Sequence, residues 1–130
     1  MFGESLRIAQ RLAESDPANA EWQRDLSVSF IKLGDLATAQ GNLPEAQQLF
    51  GESLRIAQRL AESDPANAEW QRDLWVSYWR VADVLEQIGS ADAMVYWRKA
   101  RDTLTTMVSR GLFVSAADLR SLTTLDAKFA

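Results

Sequence analysis

Residues 2–26 read FGESLRIAQRLAESDPANAEWQRDL, and residues 50–74 carry the same string without a change. This duplication of 25 residues at a period of 48 constrains the fold more than any other property of the chain. It predicts a tandem array rather than a domain built around one irregular core. Periods of this order belong to stacked supersecondary units, each unable to bury its apolar face alone. Repeat scaffolds mostly offer surface, which lowers the expectation of catalysis.

The apolar spacing is helical throughout. Phe2, Leu6, Ala9, Leu12 and Ala13 fall on one stripe, which predicts an amphipathic helix over 2–15. Asp16-Pro17-Ala18-Asn19 stops it, because proline cannot continue a helix, and Asp16 or Asn19 can cap the next. A second helix is expected from Ala20 to about Gln40, along Trp22, Leu26, Phe30, Leu33 and Ala37, with Gly41 as its stop. Asn42-Leu43-Pro44-Glu45 has the form of a capping box. It opens a third helix that runs to about Ser63. Asp64-Pro65-Ala66-Asn67 repeats the earlier break, and a fourth helix is expected to run to Ile88. A fifth uses Ala93, Trp97, Ala100, Leu104, Met107 and Val108, and Gly111 ends it. Ser115-Ala116-Ala117-Asp118 reads as a further capping box. The sixth helix then sets Leu119, Leu122, Leu125 and Phe129 on one side. No strand-like alternation occurs, and the short connections predict antiparallel neighbours. The fold class is therefore all-α.

Composition removes several functions. The chain has no Cys and no His, so it lacks thiolate metal sites, a cysteine nucleophile and the commonest general base. No serine triad can be assembled without a His, and no glycine-rich phosphate loop is present. Neither a cofactor nor a metal is expected, and the chain is read as not an enzyme. A formal charge of −4 speaks against nucleic acid, whose phosphates demand concentrated Lys and Arg. No apolar run reaches membrane-spanning length and the N-terminus is not a signal peptide, so no membrane role is expected and a cytoplasmic location follows by default.

The repeat resembles the tetratricopeptide family. Phe30, Leu33, Gly34 and Ala37 match the first helix of its hairpin, although the family often has Tyr where Ala37 stands. Gly41 matches the turn, and Ala46, Phe50 and Ser53 match the second helix. Tyr78, Val81, Ala82, Leu85, Gly89, Ala93, Trp97 and Ala100 repeat the pattern after a one-residue deletion. Small Gly34, Ala46 and Ser53 would let two backbones approach while Phe30 and Phe50 fill the space beside them. The family period is about 34 residues. The excess divides evenly between both helices, as in long-helix variants such as kinesin light chain and many bacterial arrays. The resemblance implies a right-handed superhelix of stacked hairpins. The second helix of a partial repeat would fill residues 1–18, full repeats 19–66 and 67–111, and a capping helix 112–130.

The resemblance also implies a concave groove lined by the first helix of each hairpin, binding a peptide or partner helix. Carried over by position, its residues are Glu21, Arg24, Val28, Ile31, Asp35 and Thr38, then Glu69, Arg72, Val76, Trp79, Asp83 and Glu86. Chaperone-binding members clamp a carboxylate with Lys and Asn where this chain has Ile31, Asp35, Trp79 and Asp83, so chaperone tails are not expected here. Trp75 and Trp79 replace Ser27 and Ile31 of the preceding repeat. Each can be an anchor for a bound segment or can pack on the fifth and sixth helices. Trp22, Trp70 and Trp97 read as core. Asp35, Asp83 and Glu86 can form an acidic strip, or a solvated face neutralised by Arg24, Lys32, Arg72 and Arg80. Gly3 and Gly51 lie inside helices, where they are expected to permit close contact.

The first helix would be the second member of a pair, with its apolar face partly bare. Either the chain is the tail of a longer array, or another copy covers Phe2, Leu6, Ala9 and Leu12 and makes a homo-oligomer, by domain swap if the twins exchange. The leading expectation is a non-catalytic protein-interaction scaffold. The alternatives are a structural, self-associating segment and an engineered or truncated piece of a longer array.

Overall fold

The computed structural model describes the backbone of residues 2–130 and the side chains from Glu4 onward. Six helices follow one another: α1 Phe2–Ser15, α2 Ala20–Ala39, α3 Leu43–Ser63, α4 Ala68–Ile88, α5 Ala93–Ser109 and α6 Ala116–Ala127. No strand occurs among the described residues.

Local chemistry sets the boundaries. Asn19 and Asn67, not the aspartates before the prolines, cap α2 and α4. Their side-chain oxygens accept from the backbone N–H of Trp22 at 3.1 Å and of Trp70 at 3.0 Å. Asn42 does the same for Glu45 at 3.3 Å, and its amide donates to the Glu45 carboxylate at 2.7 Å. Ser115 caps α6 through the N–H of Asp118. The expected reciprocal half of that capping box is missing, because the Asp118 carboxylate turns away to an arginine on α4. At the other ends, Gly41, Gly89 and Gly111 have φ of 77°, 86° and 72°. In each case the next residue's N–H reaches back to a carbonyl five residues earlier (Asn42 to Ala37, Ser90 to Leu85, Leu112 to Met107), which closes the helix. A side chain at those φ values would be strained.

Each helix packs on its neighbours in the chain. Ser27 meets Ser53 and Gly34 meets Phe50, so α2 climbs as α3 descends and the two are antiparallel. The contact is close because the residues are small. A Cβ on Gly34 would stand 2.4 Å from the Phe50 ring. The hydroxyls of Ser27 and Ser53 lie 2.9 Å apart, and Ser53 lies 3.4 Å from Ser77 on α4, a buried polar line through three helices.

Two apolar clusters result. The larger joins α2 to α6 and centres on Phe50, Trp75, Tyr78, Trp97, Leu104, Met107 and Leu125. The smaller holds Phe30, Ile56 and Leu60, with Leu6, Ala20, Leu26, Leu49 and Trp70 against it. Val108 and Leu119, expected on inward stripes, are instead exposed. Gly51 makes no close contact either, since a Cβ there would meet nothing within 4 Å. The Phe2 side chain and the surroundings of Gly3 lie outside what is described.

Candidate functional site

The twelve residues carried over to the groove lie on α2 and α4, and the structure brings several of them together as internal fastenings. Arg24 Nε donates to Asp73 Oδ2 at 2.7 Å and its Nη2 to Oδ1 at 3.3 Å, a two-pronged clasp between α2 and α4. Its Nη1 also lies 2.9 Å from Glu69. The hydrogen bond to Asp73, more than the surrounding charges, holds the Arg24 pKa above its ordinary value against the opposing effect of burial. Asp35 is held by Arg80 at 2.9 Å. Arg72 repeats the clasp one unit on, with Nε 2.8 Å and Nη2 3.3 Å from the carboxylate of Asp118. The side chain of Asp118 is almost fully covered. A charge in that position requires a partner, and Arg72 supplies it.

Trp79 is half-buried and stacks edge-on against Trp97 at 5.2 Å, with Trp75 at 6.2 Å. Both tryptophans therefore pack between helices, and Trp75 is the more deeply buried. Ile31 and Val76 lean on the same cluster. Val28 is half-buried. Thr38 donates to the Gly34 carbonyl of its own helix at 2.9 Å. Glu21 and Glu86 are exposed, and Asp83 accepts from Gln87 at 3.3 Å. Of the proposed acidic strip, Asp83 and Glu86 hold no ion pair among the described residues.

A different surface stands out at the other end. Ser5, Ile8, Ala9, Leu12, Trp22, Asp25 and Ser29 line an open groove of about 260 Å³ between α1 and α2. Ile8 is 58% exposed and Leu12 39%. Leu6, expected to be part of a bare face, is turned inward instead, and Ala9 forms the largely covered floor of the groove. Leu6 packs against the Phe30 cluster. Trp22, expected in the core, is only half-buried and walls the groove. Asp25 holds no ion pair among the described residues.

The duplication gives this groove an internal standard. Each of its seven residues recurs 48 positions later as Ser53, Ile56, Ala57, Leu60, Trp70, Asp73 and Ser77. There the surface is filled, and its occupant is α2. Phe30 lies on Ile56 and Leu60, which are each 8% exposed, Ser27 meets Ser53, and Arg24 clasps Asp73. The same side chains are thus a buried seam in one place and an open trough in the other. Carrying groove positions over by family resemblance missed Ser5, Ile8, Asp25 and Ser29. The signal was present in the duplication itself, which pairs Ser5, Ile8 and Asp25 with Ser53, Ile56 and Asp73, residues that α2 contacts.

Among the described residues, no helix is long and apolar enough to cross a membrane, and no three acidic side chains are gathered as a metal cage. No family model matches the chain, and no curated protein or solved structure matches it either.

Proposed function

We propose that the chain is a non-catalytic protein-interaction scaffold of the tetratricopeptide type, and that it receives an α-helix in the groove between α1 and α2. One observation carries this reading. The groove has a sequence twin in the same molecule, and that twin is filled by a helix. A trough walled by Ile8, Leu12 and Trp22 with an acid at its rim suits helix-in-groove recognition, where apolar contact supplies affinity and one charge sets the register. The face shared by α2 and α4 supports the reading less well. Arg24, Asp35, Glu69 and Arg72 are committed to ion pairs there, and Trp79 is committed to packing.

The helix that fills the twin is the natural probe. A synthetic peptide of residues 19–39, stapled to remain helical, is expected to bind the chain saturably in calorimetry. Leu12→Asp, at an exposed position, is expected to abolish the heat without unfolding the protein. Absence of binding at near-millimolar peptide would refute the reading.

A further inference from the structure

Resting on the reading of the α1–α2 groove as a helix-docking site, we infer that its occupant is helix α6 of a second copy, so that copies add head to tail. The argument begins with what α2 presents to the filled twin. Counted from its cap Asn19, the clasping Arg24 is five residues on and the hydroxyl of Ser27 is eight on. Counted from its cap Ser115, α6 has Arg120 at five and Thr123 at eight. Leu122 stands where α2 has Leu26. Arg120 and Thr123 are both exposed and lie one turn apart on one helical face, so α6 turns outward the two polar groups with which α2 meets the twin. Against the open groove, Arg120 would meet Asp25 as Arg24 meets Asp73, and Thr123 would meet Ser5 as Ser27 meets Ser53.

Charge favours the same pairing. Among residues 1–49, four cations (Arg7, Arg11, Arg24, Lys32) face seven acids. Residues 90–130 hold six cations against four acids. One end of the molecule is acidic and the other basic, which steers unlike ends together. The match lacks one element. Asp126 takes the place of Phe30, so α6 brings the clasp without the aromatic contact, and the association is of the weak, concentration-dependent class. Because groove and helix are different patches, the contact is heterologous, and each added copy leaves a groove and an α6 for the next unless the rotation between copies closes a ring.

Sedimentation equilibrium from low micromolar to near-millimolar concentration tests this. The chain should show a continuing series of masses. Asp25→Arg and Arg120→Asp, both at exposed positions, should each weaken association by roughly tenfold or more. An equimolar mixture of the two variants should restore it to within about threefold, since one junction then pairs Arg with Asp in reverse and the next is wild type. A strict monomer throughout the range overturns the inference. So does association that ignores both substitutions, or a dimer that grows no further. The helical peptide of residues 19–39 separates the two claims: if it binds while the chain stays monomeric, the docking site stands and the second copy does not.

Discussion

At the scale of single residues, the fold depends on small side chains where helices cross. Gly34 is the sharpest case, since a methyl there would overlap the Phe50 ring, which is itself buried. Gly34→Ala gains about 1 kcal/mol of helix propensity. Overpacking a close-packed crossing costs about 1–3 kcal/mol and more where the neighbour cannot yield. We expect net destabilisation, read as a lower urea midpoint with an unchanged slope, and partial recovery when Phe50→Leu is added. A midpoint that rises would show the crossing to be looser than described. The sequence marked Gly34, Ala46 and Ser53 as small positions because tight contact needs them at those spacings. It could not mark Asp118. An acid three residues after a serine cap has a local use in the first turn, and only the fold brings it near Arg72, 46 positions away. Gly51 had the opposite fate. Its position inside a helix suggested a crossing, but no neighbour approaches it.

At the scale of elements, the helices were legible almost to the residue, because Pro, Asn and Gly punctuate the chain at each end. What surrounds each helix was not. Helix α1 and the last two-thirds of α3 share one sequence, so intrinsic propensity is equal in both. Their surroundings differ: residues 50–63 are packed by both α2 and α4, whereas α1 packs on α2. Amide exchange measured by mass spectrometry or NMR should therefore show much stronger protection across 50–63 than across 2–15. Protection follows packing and not helix-forming tendency. Equal protection in the two stretches would mean that α1 is covered by something else, and a rise in α1 protection with protein concentration would identify a second molecule as the cover. The Arg72–Asp118 clasp fixes α6 in the same manner that Arg24–Asp73 fixes α4. That common fastening was invisible to periodicity, since the two acids occupy different positions relative to their caps.

At the scale of the whole molecule, contacts run between neighbours, so stability is close to a sum over units and the junctions between them. The identical strings at 2–26 and 50–74 then have a genetic consequence. A crossover between the two stretches of coding sequence they represent removes 48 residues in frame and leaves Met1 joined to the sequence of residues 50–130. In that shorter chain every retained junction is native, and α1 stands where the end of α3 stood. We expect it to fold into four helices and to melt cooperatively at a lower temperature, as circular dichroism would record; a molten product would show that the units are not separable. The reciprocal event inserts one more hairpin by the same route. Length in such a lineage can drift by whole hairpins without passing through a misfolded ancestor.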